Sequence, residues 1–535
     1  MNELVVLQAS VTNSITNETK LIINKYNRLA SVLEDVDAEW VLQKYLSAFA
    51  EAYDPHSTYL SPATMEDFAI EMSQSLVGIG AVLTSEDGVA KVVAIIPGGP
   101  AHRDTRPQRL VPGDKIIAVA QENREPVDVM HLPLYKVVRM IRGKKGTKVI
   151  LTVQSASDPT GSTIKIVDLI RDEVRLEENT VKLELREKPD STGIKRTVGI
   201  VTLGAFYGDI SGEGTAGTKR SCADELKSLL LKAAEKKIEG ILLDLRNNSG
   251  GSLEEAVKVT GLFIRSGPIV QILDRDWLWG RTRLTPLVDP DSSIVYSGPL
   301  VVLVNRMSAS AAEIVAAALQ DYGRAVIVGD SKTFGKGTVQ SLIKLGSNMG
   351  SLKVTTTKYY RVSGMSTQLK GVTSDIVVPS VFDYSGIGEE SLPNALPWSA
   401  TNAVPYARWG QLDKLIPLLR NKSEERRLTS PVFARYEKQL EYFHNVWQTG
   451  ELPLDIAERR KLIEIEKQLS GLSPVYYNEI TEISEKQKDD IILQEALDIL
   501  QDLIVMQAAS NIIPAHITDR TSRSKYLDFL KWFKF

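Results

Sequence analysis

Ser310 and Lys336, twenty-six residues apart, are the pair whose residue types and settings could do chemistry. From Leu300 the chain reads Leu-Val-Val-Leu-Val-Asn-Arg-Met-Ser-Ala-Ser-Ala-Ala-Glu-Ile-Val-Ala-Ala-Ala-Leu. The apolar run 300–304 has the length and β-branched content of a buried strand, and the alanine-rich stretch 311–319 reads as a helix. Ser310 is therefore expected at a helix start, where unpaired N–H groups and the helix dipole favour a developing oxyanion. A second apolar strand, 325–328, leads into a loop that sets Lys336 between Gly335 and Gly337. A serine and a lysine so placed suggest a serine–lysine hydrolase. Plainer roles compete with that reading. Ser310-Ala-Ala-Glu313 also fits a capping box, with Ser308 as an alternative cap, and Lys336 also fits a solvated loop lysine.

The rest of the chain narrows the choice of base. None of the five histidines (His56, His102, His131, His444, His516) lies within 100 residues of Ser310. A Ser-His-Asp site is assembled in space, so this does not exclude one, but no local motif offers a histidine. Cys222 is the single cysteine, in a polar helix-like stretch with no disulfide partner. HExxH and CxxC spacings are absent, and no metal or other cofactor is expected. Lysine is the available base. To act near pH 7 it must lose roughly three units from its usual 10.4, about 4 kcal/mol, which burial among apolar groups can provide. Phe334 and Val339 are candidates for that surface, and Asp330 should point away. Gln340, four residues on, could orient the amine without adding charge. Asp321 is a weaker candidate, separated from Ser310 by eleven residues of helix, roughly 16 Å. For the oxyanion, the strand-and-turn Ile238 to Gly251 ends in Asn-Asn-Ser-Gly-Gly. Gly250 and Gly251 let the backbone come close to a substrate and Ala311 offers a further N–H, although an ordinary strand-to-helix loop fits the same residues.

Taken together, Leu-Val-Val-Leu-Val-x-Arg-x-Ser-Ala-Ser-Ala, Phe-Gly-Lys-Gly-Thr-Val-Gln and Asp-Leu-Arg-Asn-Asn-x-Gly-Gly resemble the carboxyl-terminal processing proteases, peptidase family S41. Asp54-Pro-His-Ser-Thr-Tyr-Leu-Ser-Pro62 and the long C-terminal part are similar to its tail-specific branch. The resemblance implies Ser310 as nucleophile, Lys336 as base, Gln340 as assistant and a supporting part for Asp321. It implies a serine endopeptidase that degrades or processes unfolded and precursor chains without ATP, on the periplasmic side of the cell envelope. One departure is visible: Gly329-Asp-Ser-Lys-Thr-Phe is a residue longer than the family's usual Gly-Glu-Pro-Thr-Phe, and Lys332 adds a charge there.

The elements that must position these residues divide the chain into four parts. Residues 1–74 have helical spacing (Leu29, Val32, Leu33, Val36, Trp40, Val41, Tyr45, Leu46, Phe49), so a helical N-terminal domain is expected. Residues 75–155 switch to short strands, with Leu76–Leu83, Val92–Ile96, Gly113–Val119 and Gly146–Val153 around a helix at Leu134–Ile141. This order resembles a PDZ domain with Gly78-Ile79-Gly80 as its carboxylate loop. Glycines free backbone N–H groups for a carboxylate, and a strand edge takes an extended peptide. Val82, Leu134, Val138 and Ile141 are the expected lining of an apolar pocket for the last side chain. Residues 156–384 are the α/β core, for which the resemblance implies a crotonase/ClpP-like arrangement. Residues 385–535 are charged, helix-patterned segments, expected as a solvated helical domain packed on the core and open to adaptor or oligomer contacts.

With 43% hydrophobic and 24% charged residues and a net charge of −3, composition is that of a globular protein and gives no reason to expect nucleic acid or anionic membrane as partner. No apolar run approaches 18 residues. The first residues lack the basic and apolar regions of a signal peptide, so a leader has been removed or the chain is a fragment. The expected partners are polypeptides with free apolar C-termini. Two other classes stay open: a catalytically silent PDZ scaffold, and an acyl-transfer enzyme on a crotonase-like core. The presence of Ser310, Lys336 and Gln340 argues against the first, and no nucleotide-recognition feature supports the second.

Overall fold

Continuous apolar runs need both faces of a sheet covered, and that is how Ile241–Leu243 and the five residues 300–304 are used. The computed structural model describes residues 36–509 except 87, 159–161, 178, 191–192, 209–219, 276–279, 281, 292, 347, 410–411, 450–454 and 473–489, with 22, 23, 25, 26 and 30 before them. The N-terminal part contains α1 (Ala38–Glu51), β1 (Thr58–Leu60) and α2 (Pro62–Ser73). There follow β2 (Ser75–Gly78), β3 (Ala81–Glu86), β4 (Val89–Ile95), α3 (Pro100–Arg103), β5 (Lys115–Gln121), β6 (Val127–Asp128), α4 (Leu134–Ile141), β7 (Lys148–Gln154), β8 (Ile164–Ile170) and β9 (Asp172–Arg175). The next stretch holds β10 (Lys182–Pro189), β11 (Lys195–Thr202), α5 (Cys222–Ala234), β12 (Gly240–Asp244), α6 (Leu253–Gly261), β13 (Pro268–Arg275) and β14 (Thr282–Val288). After it come β15 (Leu300–Val304), α7 (Ala311–Asp321), β16 (Val326–Gly329), β17 (Thr338–Lys344), β18 (Ser351–Tyr360) and β19 (Ile376–Val377). Helices α8 (Leu412–Thr429), α9 (Pro431–Thr449), α10 (Ile456–Leu472) and α11 (Ile491–Ala509) complete the C-terminal region, giving a mixed α/β molecule with a helical end.

The central sheet runs β10-β11-β12-β15-β16-β19, parallel from β11 onward. Alternate residues of its strands serve opposite cores. Ile241, Leu243, Leu300, Val302 and Val304 face the cluster closed by α5, α6 and α7. Leu242, Val301, Leu303, Val326 and Val328 face a second cluster closed by α8, α9 and α11. The C-terminal helices thus complete the core. In α11, Ile492, Leu497, Ile499, Leu500 and Leu503 are all buried, and its buried acids are paired, Asp502 with Lys422 (2.9 Å) and Glu495 with Arg426 (2.7 Å). A solvated helical domain packed on the core was expected for 385–535; the packing is there, and α11 goes further, since its apolar residues are buried in the core itself. Leu497→Ala should cost about 2–5 kcal/mol, read as a lower denaturation midpoint at unchanged m-value.

A second sheet runs β1-β18-β13-β14, with β17 on β18. Its membership corrects the helical expectation for residues 1–74, because Thr58–Leu60 is a strand paired with Ser351–Lys353. Trp40, Val41, Tyr45 and Phe49, expected as a core-facing stripe, are 46%, 53%, 67% and 59% exposed on α1. Among the described residues nothing covers them; Leu29, Val32 and Leu33 lie outside the described residues.

The third sheet, β3-β4-β5-β7-β8 with β6 on β5, has β3 at its edge and α4 packed against it. Two boundaries differ from expectation. The run Leu76–Leu83 is split by Ile79-Gly80 into β2 and β3, which belong to different sheets. The sheet also continues past 155, since β8 pairs with β7 along its whole length and β9 returns to β2.

Candidate active site

The loops after β12, β15 and β16 leave the carboxyl ends of adjacent parallel strands, where open α/β sheets place their ligand sites. Cross-links hold the three together. Asn305 Nδ2 donates to Asn247 Oδ1 (2.7 Å), Ala309 N to Asn248 O (2.9 Å) and Phe334 N to Ser308 O (2.9 Å).

Ser310 is the N-cap of α7, with φ 55° and ψ −113°. A non-glycine residue there is strained, typically by about 1–3 kcal/mol, and such strain clusters at functional sites. Glu313 Oε2 accepts from the Ser310 amide at 2.9 Å, so the carboxylate half of the capping box is closed. The other half is in place as well, with the Ser310 hydroxyl set toward the Glu313 amide as an acceptor, which leaves the hydroxyl's own proton uncommitted. Ser308, the alternative cap, is fully buried and engaged elsewhere. Its hydroxyl donates to Leu245 O (2.8 Å) and accepts from Asn305 N (3.0 Å).

Glu313 also binds the lysine loop. Its Oε2 accepts from Lys336 N (2.9 Å), and its Oε1 from Gly335 N (2.7 Å) and Thr333 Oγ1 (2.6 Å). One carboxylate oxygen therefore receives the amides of both Ser310 and Lys336. Burial pushes the Glu313 carboxyl up to about 7, against these hydrogen bonds. Buried Tyr359 adds a clamp, its hydroxyl donating to the carbonyls of Lys336 and, at 3.4 Å, Ser310.

Lys336 Nζ donates to Gln340 Oε1 at 2.7 Å. Burial, then the charge of Lys353, bring the amine down to about 8, with Glu389, Glu313 and Asp54 opposing. Asp330 does point elsewhere: its carboxylate accepts from Arg306 N (2.9 Å) and Ser380 N (2.6 Å). The extra Lys332 is neutralised by Glu390 at 2.8 Å and donates to Leu369 O. Asp321, at the far end of α7, is held by Arg361 through two hydrogen bonds of 2.6 and 3.0 Å and does not join Ser310 and Lys336.

Of the three expected oxyanion donors, Gly250 is already engaged. Its amide donates to Asn248 Oδ1 at 2.8 Å, so its contribution is room: a Cβ there would meet Ser310 Cβ at 2.8 Å. The amides of Gly251 and Ala311 have no partner among the described residues. Gly251 (φ 138°) has its own constraint, since a Cβ would sit 2.3 Å from Phe206 O.

In the third sheet, Ile79 O and Gly80 O accept from Ala101 N (2.8 Å) and Ile96 N (2.9 Å), while the Ile79 and Gly80 amides have no partner among the described residues. Gly80 (φ 75°) lies so close to Gly99 that a Cβ would be 3.0 Å from its Cα. Val82, Leu134 and Val138 are half-buried beside the β3 edge, and Ile141 is buried. Gly78 ends β2. Arg142, which sequence reasoning passed over, lies near Gly78 and pairs with Asp67 at 2.7 Å.

Sequence reasoning named Glu313 only as a cap and missed Tyr359, Thr355 and Asp54. The signal for Glu313 was its spacing from Ser310; its grip on residues 333–336 is tertiary and leaves no local pattern.

A family model described as "Peptidase family S41" matches residues 197–378. Models for the tail-specific protease N-terminal domain and for the C-terminal domain of tail specific protease (DUF3340) match 2–63 and 382–505. The tail-specific protease of Haemophilus influenzae is 35% identical over 525 residues, 94% of this chain and 71% of that protein. The carboxy-terminal-processing protease of Bartonella bacilliformis is 31% identical over 406 residues, 73% of this chain and 84% of that protein. A solved PDZ domain of a carboxy-terminal protease from Vibrio cholerae, in complex with peptide, is 39% identical, covering 19% of this chain and 99% of that one, at a TM-score of 0.18. The chain belongs to peptidase family S41, with N- and C-terminal domains of the tail-specific type. Among its described residues no helix is long and apolar enough to cross a membrane.

Proposed function

We propose that the chain is a serine endopeptidase of the Ser–Lys type that selects substrates by their free C-terminal ends. The observation that carries this reading is the Glu313 oxygen shared by the Ser310 and Lys336 amides, which binds a strained helix-start serine and a buried lysine into one site. The neutral Lys336 amine takes the Ser310 hydroxyl proton as Oγ attacks the peptide carbonyl. Gln340 Oε1 orients Nζ, and the Gly251 and Ala311 amides receive the oxyanion. The lysine then returns the proton to the leaving amine, and water, activated by the same base, releases the acyl chain. No ATP enters this sequence. Asp321, committed to Arg361, supports the fold of α7 rather than the proton transfer. By family resemblance the work is done on the periplasmic side of the envelope.

The strands 81–170 with α4 act as the PDZ-like tail reader in this reading, beside a crotonase-like core. The Ile79 and Gly80 amides, without a partner among the described residues, take the terminal carboxylate, and the β3 edge takes the chain as an added strand. Val82, Leu134, Val138 and Ile141 favour a small or apolar last residue; an acidic one would place a second carboxylate in apolar surroundings. An unfolded substrate with an apolar free C-terminus should be cleaved at least tenfold faster than the same chain amidated. A small ester that bypasses docking should react equally well with a Gly80→Val variant and the parent. Equal cleavage of free and amidated tails would remove tail selection from the function and leave the peptidase.

A further inference from the structure

The segment Asp54-Pro-His-Ser-Thr, far before the serine in the chain, is packed against the lysine site rather than within a separate domain. Thr58–Leu60 lies in the same sheet as β17 and β18, and Gln340 is paired across it with Thr355. Buried Asp54 is saturated with hydrogen bonds. Its Oδ1 accepts from Thr355 Oγ1 (2.7 Å) and from the His56 and Ser57 amides (3.0 and 3.1 Å), and its Oδ2 from Ser57 Oγ (2.5 Å). Although burial pushes its carboxyl up, these bonds outweigh it and hold Asp54 ionised. Because the Thr355 hydroxyl gives its one proton to Asp54, its oxygen can only accept from anything else. What it accepts is Gln340 Nε2, at 3.1 Å. With Nε2 held there and on Thr338 Oγ1 (3.0 Å), the other end of the amide, Oε1, must face Lys336 Nζ.

We propose that Asp54 is a positioning residue for the peptidase reaction: acting through the Thr355 hydroxyl, it decides which end of the Gln340 amide meets Lys336. This rests on the reading of Lys336 as the base. Without the carboxylate the Thr355 hydroxyl is free to donate to Gln340, and the amide can turn over. Its NH₂ group would then occupy the lone pair of the amine that must take the serine proton. The N-terminal segment therefore supplies part of the catalytic apparatus, and the lysine with its amide, the relaying hydroxyl and the orienting acid come from three stretches of chain.

The test is steady-state cleavage across pH by the full chain and its variants. Thr355→Val, which removes one hydroxyl at constant size, should lower kcat at least tenfold with KM within twofold. It should also move the ionisation governing kcat to lower pH, by roughly half a unit or more, since an NH₂ group disfavours the ammonium. Asp54→Ala should lower kcat to the same extent, with a larger fall in the ionisation because it also removes a charge that holds the Lys336 amine up, and the double variant should lose no more kcat than either alone, as one relay predicts. Thr355→Ser, which keeps the hydroxyl, should recover most of the loss. The other charges around Lys336 (Lys353 on β18, Glu389, and Glu313 on α7) are untouched in all four proteins. A fall in kcat with an unmoved ionisation, or losses in the two single variants that add, would make Asp54 merely structural and overturn the proposal. If Asp54→Ala fails to fold, Thr355→Val decides alone. A parent that shows no ionisation near 8, or a Lys336→Arg variant that stays active, removes the lysine base itself and the relay with it.

Discussion

Ser310→Ala should abolish peptide hydrolysis, with turnover reduced by a factor of about 10⁴ or more, while the protein folds as before. The contacts that place residue 310 run mainly through its backbone, to Glu313 and Tyr359, and losing the hydroxyl's place in the capping box costs about 1 kcal/mol. Only the attacking oxygen is lost. Ser310→Gly should be equally inactive yet more stable, by about 1 kcal/mol, because glycine accepts φ 55° without strain. Unfolding midpoints and single-turnover kinetics on one unstructured substrate check both. Turnover of the alanine variant within tenfold of the parent would remove Ser310 from the chemistry.

Lys336→Arg should be as inactive as Lys336→Ala, a loss of roughly 10³-fold or more, since a guanidinium cannot give up its proton in this range. In the parent, activity should rise with pH through an ionisation near the value of about 8 to which burial brings the amine, with the Glu313 carboxyl, pushed up to about 7, titrating just below it. At pH 7 only about a tenth of the molecules then hold the free base. The same burial has a stability side. A lysine whose folded-state value lies below its ordinary 10.5 is a liability fully present below pH 8, and it fades as pH rises from about 8 to 10.5, where the unfolded chain still binds the proton and the folded one does not. Lys336→Met should therefore raise the unfolding midpoint at pH 7 while removing activity. An arginine variant with substantial turnover would end the lysine-base reading.

The parts of this molecule that could be read in advance are those whose cause is local. The buried strands 240–244 and 300–304, the helix beginning at 311, the α4 helix and the glycines around 78–80 are each specified by periodicity and by residues that only certain conformations accept. The lysine–glutamine contact was expected from a spacing of four residues, although Lys336 lies in the loop before β17 and a register shift falls just ahead of Gln340. What was not legible depends on tertiary partners. The engagement of Gly250's amide by Asn248 follows from the exact turn, which Asn-Asn-Ser-Gly-Gly alone does not determine. The burial of α11 follows from the open face of the central sheet, a need that charged C-terminal composition conceals. The exposure of Trp40 and Tyr45 shows the converse, since helical spacing states which residues share a face and not what covers it.

The contact between Thr355 and Asp54 joins groups 301 residues apart in the chain. During synthesis, at about 5–20 residues per second, Asp54 leaves the ribosome roughly 15–60 s before its partner does. For most of that interval neither Ser310 nor Lys336 has been made, and once they have, the Gln340 amide still waits for Thr355 to orient it. Helix α11, which closes the other face of the central sheet, emerges later still. A hydrolase assembled from the two ends of its own polypeptide thus stays inert while its own nascent chain, unfolded and close at hand, is the most abundant substrate in reach.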